Sequence, residues 1–529
     1  MSEAIASVEH EGDGAERTVR ADRRRRFDIL AIVVLVAVIT ASWCYANGMS
    51  HRTDWQMPLT YKGPYVGRDK SDILVYSAFI RAARDGHFAP FAAKFVPELG
   101  APYDGNWNDW PYLEYVPLYL IGVLARGAGI FAALNIALLF WNCLAGITFY
   151  VVARCRRIDI TWSFIAALAF GLASFIFAQS PDHPMVALCW HVPLLLLVVK
   201  WLTDERGVAF GSKRFWVGIS VAFIAGLQNP YYSSTFCQLA LLAAGAMFLR
   251  TRNKGHLIVA ACLVGATVAA FVLINLDPWF WQIRLGRNHG AVVRQFQWLE
   301  IYALKALDLF IPPLNHQWAA FREVGRWRAS VALLHDEGSY LGIIGIAALV
   351  LLLVIAIGAA ARPDSEKVPA EVLWVLWIFL FYSTGGLNAI VGALGFTYLR
   401  AGCRLSIFIL AAALLFAAEW LSRKKLGPAV ASAVAAICCL IILLDQIPMP
   451  PSPDEKAVIA QQVLDDEKFV RDMENILPPG AMIFQLPVMD FPEAPLRTES
   501  SYDHLRPYLF TRQLRFSFGS MKGRLREQW

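Results

Sequence analysis

Asp69 and Asp72 stand three residues apart in a polar stretch between two apolar blocks, and a carboxylate held at such a boundary has the chemistry of a general base. The competing reading is local. Ser71 or Asp72 caps a helix, because Asp72-Ile-Leu-Val-Tyr-Ser-Ala-Phe-Ile-Arg81 carries apolar residues at helical spacing and a carboxylate favours the positive end of a helix dipole. The same two aspartates could hold a divalent metal, though two carboxylates are a minimal ligand set and no cofactor is firmly implied.

Arg400 and Arg404 offer a second chemistry. On a helix they share a face and could clamp a phosphate, which guanidinium groups bind bidentately; the alternative is that both snorkel toward lipid headgroups. His183, in Asp182-His183-Pro184, reads as a proton-transfer or acceptor-binding group, or as an interfacial hydrogen-bonding residue. Tyr231 and Tyr232 follow Asn229-Pro230, where aromatic belt residues are expected. Arg294, Glu300, His316 and Glu337 share another polar stretch, and loop charges are most simply solvated.

What must position these residues is a membrane domain. Of 529 residues, 57% are hydrophobic and only 17% charged, against about a quarter charged in soluble domains. Apolar blocks near 27–46, 130–152, 161–179, 185–202, 215–230, 231–249, 256–275, 339–360, 370–390, 404–421 and 427–446 predict about eleven transmembrane helices in an all-α polytopic fold. Basic clusters at Arg23–Arg26, Arg154–Arg157, Lys213–Arg214, Arg250–Lys254, Arg362–Lys367 and Arg423–Lys425 all fall on one side if the N-terminus is cytoplasmic, as the positive-inside bias requires. The C-terminus is then outside. Gln228-Asn229-Pro230 leaves open whether 215–249 is a hairpin or one broken helix.

The expected organisation is a cytoplasmic basic tail (1–26), a transmembrane domain (27–446) with outer loops 47–112 and 276–336, and an outer segment (447–529). The stretch beginning at Asp72 is expected as an interfacial helix. The three long polar stretches contain no cysteine, so no disulfide framework is expected, and no phosphate loop, zinc spacing or nucleophile elbow occurs. The net charge of +6 reports topology and calls for no nucleic acid.

Several motifs together resemble bacterial polytopic membrane proteins of the GT-C glycosyltransferase type. They are Asp72-Ile-Leu, Pro97-Glu-Leu-Gly-Ala-Pro102 with Asn106-Trp-Asn-Asp-Trp-Pro111, His183 with Pro193, and Gly226-Leu with Tyr231-Tyr232. Glu300-Ile-Tyr-Ala-Leu-Lys305 with Pro313 and His316, Tyr340-Leu-Gly-Ile-Ile-Gly345, and the Arg400 to Arg404 stretch continue the pattern. Its most specific part is Pro478-Pro-Gly-Ala-Met-Ile-Phe-Gln-Leu-Pro487, then Phe491-Pro-Glu493, Tyr502-Asp503 and Leu514 to Arg524, similar to the start of an outer α/β domain. Relatives run on beyond this point, so the chain is expected to lack most of that domain.

The resemblance implies transfer of a sugar from a polyprenyl-phosphate carrier to a glycan or lipid-linked acceptor, on the outer face of the bacterial cytoplasmic membrane. It implies Asp72, favoured over Asp69 by the Ile-Leu that follows, as general base. Arg404 and Arg400 would hold the donor phosphate, with His183, Tyr231, Tyr232, Glu300, His316 and Glu337 around the substrates. The rivals are a flippase for lipid-linked sugar and an inactive envelope-assembly protein. Oligomeric state is not legible.

Overall fold

The computed structural model describes residues 2–59, 72–108, 115–180, 182–204, 207–332, 338–362, 368–493 and 502–524, without the side chains of 2–21, 23 and 24. Helix α1 (Ser2–Ala46) carries the basic tail unbroken into the first apolar block. The first polar stretch holds α2 (Asp72–Asp85), the antiparallel pair β1 (Phe95–Val96) and β2 (Gly105–Asn106), and α3 (Tyr115–Ala128). Next come α4 (Ile130–Cys155), α5 (Ile160–Gly171), α6 (Ser174–Gln179), α7 (Pro184–Ala187) and α8 (Val192–Leu202). They are followed by α9 (Lys213–Gly226), α10 (Pro230–Thr251) and α11 (Gly255–Leu285). The second polar stretch contributes α12 (Gln297–Ile301) and α13 (Ala319–Val331). The bundle ends with α14 (Gly342–Ala360), α15 (Ala370–Tyr382), α16 (Leu387–Ala393), α17 (Ser406–Arg423) and α18 (Pro428–Asp445). Beyond it lie α19 (Pro453–Ile476), β3 (Met482–Ile483), α20 (Arg506–Phe510) and β4 (Arg515–Phe516), with β3 and β4 parallel.

The fold is all-α and polytopic, but the count of full-length spans is lower than the hydropathy blocks predict. Among the described residues, eight helices are long and apolar enough to cross a membrane. The expected blocks 185–202, 215–230 and 370–390 fold as α8, α9 and α15, of 11, 14 and 13 residues. At 1.5 Å per residue these reach about 16–21 Å, short of a hydrocarbon core of about 30 Å. Two of the blocks are broken internally. The carbonyl of Trp190, freed at the break before α8, accepts from Thr148 Oγ1 at 2.6 Å, which is how a membrane bundle tolerates irregular backbone.

The region 215–249 is two helices of opposite direction. Gly218 faces Leu263 and Thr267 Oγ1 donates to the Ala222 carbonyl at 3.1 Å, so α9 runs parallel to α11. Only Arg252 to Lys254 separate α10 from α11, and Cys237 reaches Thr267, so α10 runs antiparallel to it. The chain therefore reverses at Leu227 to Asn229. Pro230 disrupts nothing there, because it occupies the first turn of α10, where no intrahelical donor is needed, and Asn229 caps that turn through Tyr231 N at 3.1 Å.

One end of the bundle collects the expected basic connections. Arg154 pairs with Asp28 at 2.7 Å, and buried Arg156 bridges Glu371 at 2.6 Å and Glu419. Lys200 joins Glu371 at 3.2 Å. The candidate functional residues among those described lie toward the other end.

Candidate active site

Asp72 is the first residue of α2, and the rest of that helix explains why the carboxylate is held still. Ile73 through Ala83 are all buried. The helix expected at an interface is therefore sheathed on both sides by protein. On one side α3 approaches so closely that a Cβ on Gly122 would collide with Ala83 Cβ and come within 2.9 Å of the Arg84 backbone nitrogen. On the other side lies the C-terminal segment. Buried Arg81 donates from Nη2 to the Thr511 carbonyl at 2.6 Å and stacks 4.3 Å from the Tyr508 ring centroid.

The two most specific sequence motifs meet here. Phe516 N donates to the Glu98 carbonyl at 2.8 Å, and Ala101 N and Gly100 N donate to the Phe516 and Phe518 carbonyls at 2.9 and 3.0 Å. Trp107 Nε1 donates to the Gly519 carbonyl at 2.6 Å while its ring stacks on Phe491 at 5.8 Å. The described residues of the first polar stretch and of the C-terminal segment thus pack together as a cap over α2.

At the open end of α2 the Asp72 carboxylate lies 3.4 Å from His183 Nε2, and both side chains remain partly exposed, at 44% and 31%. His183 is fixed by its backbone: its N–H donates to the Gln179 carbonyl at 2.7 Å, and its own carbonyl accepts from Val186 N at 2.9 Å. Pro184, in the first turn of α7, sets the corner. Tyr502 is buried beside this pair. Burial pushes its hydroxyl well above the ordinary tyrosine range, and the Asp72 and Glu493 carboxylates push it the same way.

The arginines are set among aromatic rings. Arg400 lies 4.6 Å from the Trp298 centroid and 5.5 Å from Tyr302, and Arg404 lies 5.5 Å from Tyr231. They do not share a helix face as expected. Arg400 precedes a 3-10 turn (Gly402–Leu405) that holds Arg404, and α17 begins only at Ser406. What joins them is the Tyr231 hydroxyl, which accepts from Ala401 N at 3.2 Å and donates to the Tyr398 carbonyl at 3.3 Å. Arg400 is less basic than an ordinary arginine, first through burial and then through the charges of Arg294 and Arg404; Tyr231 and Glu493 offset part of this.

Other expected contacts resolve differently. Buried His316 directs Nε2 at Asp445 Oδ1 (3.2 Å) and accepts from Trp318 N at Nδ1 (3.0 Å); Asp445 also accepts from Tyr340 and from Ile343 N. His316 is completely buried, at the centre of a hydrogen-bond network that joins the second polar stretch to the end of α18. Tyr232 is likewise fully buried, its hydroxyl given to the Val186 carbonyl. Glu300 accepts from Gly385 N at 3.0 Å and anchors the turn between α15 and α16. Asp69 and Glu337 lie outside the described residues. No group of three or more His, Cys, Asp or Glu among the described residues is arranged to hold a metal ion. Trp298 is not singled out in the sequence, and Tyr502 stands there only within a motif, with no role assigned to it.

No protein-family profile and no curated protein matches the chain. Solved structures with similarity include the Archaeoglobus fulgidus oligosaccharyltransferase in complex with Zn and sulfate, at TM-score 0.43 and 10% identity, over 93% of this chain and 62% of that one. Another is the archaeal oligosaccharyltransferase AglB from Archaeoglobus fulgidus, in complex with an inhibitory peptide and a dolichol-phosphate. It has a TM-score of 0.44 and 11% identity, over 93% of this chain and 64% of that one. The chain spans less than two thirds of the length of these two structures.

Proposed function

We propose that this chain is a GT-C-type glycosyltransferase of a bacterial cytoplasmic membrane, moving a sugar from a polyprenyl-phosphate carrier to a hydroxyl of an envelope glycan or lipid-linked acceptor. The observation that carries the reading is the Asp72–His183 pair, partly open to solvent, on the same end of the bundle as an aromatic-lined arginine cluster. Tyr502 is buried near the Asp72 carboxylate, and the Glu493 carboxylate acts on it as well.

In this reading Asp72 accepts the proton of the acceptor hydroxyl as its oxygen attacks the anomeric carbon. The bond from that carbon to the phosphate oxygen breaks, and the phosphate leaves with the electron pair. Negative charge grows on the departing phosphate, where Arg400 and Arg404 stabilise it more than in the ground state. One displacement inverts the anomeric configuration. His183 orients the Asp72 carboxylate. The basic end of the bundle faces the cytoplasm, which puts this site and the segment from residue 447 on the outer face.

The test is a product assay with purified protein, polyprenyl-phosphate sugar and candidate acceptors. Asp72→Asn is expected to lower the rate by roughly 10²–10⁴, the usual contribution of a positioned base. Equal product from variant and wild type sinks the base assignment. Movement of intact lipid-linked sugar across vesicles without product favours transport instead.

A further inference from the structure

Arg294 sits beside Arg400 in the arginine cluster. Its guanidinium lies 5.6 Å from the centroid of Trp298, the same indole over which Arg400 lies at 4.6 Å. Two cations share one ring, an arrangement whose mutual repulsion must be offset by something nearby. The Arg294 carbonyl accepts from Thr397 Oγ1 at 2.8 Å, which ties its backbone to the strand of chain leading into Arg400. Glu493 faces Arg294 with two bonds of 3.0 and 2.9 Å. A guanidinium has five N–H donors, so this carboxylate orients the fork and leaves donors over. Glu493 itself adopts φ 58°, a left-handed conformation that is uncommon for a residue with a side chain.

The charges can be counted. Arg294, Arg400 and Arg404 supply three positive charges and Glu493 one negative, so the cluster carries a net +2. A sugar phosphodiester on a lipid carries one negative charge. The phosphomonoester that leaves carries close to two, since its second pKa is about 6. The cluster is matched to the leaving group and is in excess over the donor.

We propose that Arg294 is a third phosphate-binding residue, and that with Glu493 in place the cluster prefers a phosphomonoester dianion to a phosphodiester monoanion. The inference rests on the reading that this site takes a lipid-linked phosphate, and it deepens that reading. Stabilisation rises as the phosphate departs, and the spent carrier binds more tightly than the donor.

The experiment measures equilibrium binding to the full chain in detergent of three probes: a short-chain polyprenyl phosphate, its methyl phosphodiester, and inorganic phosphate. Wild type is expected to prefer the lipid monoester, and more so at pH 8 than at pH 5, where the second proton returns. Arg294→Gln is expected to weaken monoester binding roughly tenfold, the scale of one lost charge-assisted bond, and to flatten both the preference and its pH dependence. Arg294→Lys restores part of it. Glu493→Gln, which breaks the same ion pair and raises the net charge, should bind the monoester no more weakly than wild type. If Glu493→Gln loses binding as Arg294→Gln does, Arg294 merely fastens the C-terminal segment and the proposal fails. Unaltered binding in Arg294→Gln also overturns it. A wild type that binds no lipid phosphate overturns the lipid-linked reading itself. Inorganic phosphate bound as tightly as the lipid overturns that reading too, while keeping Arg294 as a phosphate ligand.

Discussion

The Asp72 carboxylate lies 3.4 Å from His183 Nε2, across a sequence separation that carries the chain through four further helices, α3 to α6. Asp72 is placed by a buried helix and His183 by a backbone corner, so the pair is positioned from two independent elements. His183 touches Asp72 and is cast as its positioning residue. His183→Ala is expected to lower kcat roughly tenfold, less than Asp72→Asn does, with the KM for acceptor little changed, and His183→Gln should recover part of the loss. A steady-state comparison of the variants checks this. A rise in KM alone would make His183 an acceptor contact.

Close packing of α2 on α3 makes a second expectation. Gly122 meets Ala83 where no Cβ fits, so Gly122→Ala must push the helices apart at a place where both are buried. Overpacking of this kind costs about 1–3 kcal/mol. The thermal midpoint of the purified protein should fall, and turnover should fall with it, because α2 carries Asp72. A variant with lowered midpoint and unchanged kcat would separate the packing from the site.

Much of this architecture is legible in the sequence, and the failures have identifiable causes. Eight of the eleven apolar blocks become helices long enough to cross a membrane, and the other three become shorter helices. Their breaks are set by distant partners. Pro193 in the first turn of α8 is compatible with a helix start there, but the break before it is held by Thr148, a residue of α4. The Arg400 to Arg404 spacing suggested one helix face, and Gly402 instead packs against the Tyr382 carbonyl in a 3-10 turn. His316 looked like a loop residue because the polar stretch around it gives no hint of Asp445, 129 residues away. Arg294 was readable only as a loop charge, as its carboxylate partner Glu493, 199 residues on, is brought to it by the fold. Asp72, Arg400 and Arg404 could be singled out because each stands within a motif that the sequence carries locally.

The clamp over α2 should respond to acid, and the sign follows from Glu474. This residue of α19 accepts from Thr511 Oγ1 at 2.7 Å, Arg512 N at 2.6 Å and Gln513 N at 3.1 Å, in the same turn whose Thr511 carbonyl receives Arg81. Burial acts to raise its pKa, but the hydrogen bonds to the carboxylate outweigh that and hold it below the ordinary glutamate value of 4.5. A group depressed in the folded state contributes stability that is fully present above its unfolded pKa and is lost as pH falls through the folded one. The 511–513 turn should therefore stay docked at neutral pH and loosen below the ordinary glutamate range. Hydrogen exchange of the amides of Arg512 and Gln513 checks this: protection is expected to drop with acid in wild type. In Glu474→Gln it should already be lower at neutral pH and vary little over the same interval. Acid loosening that persists unchanged in Glu474→Gln would assign the transition to another carboxylate, with Asp85, the partner of Arg81 at 3.3 Å and also held below its ordinary range, next to be replaced.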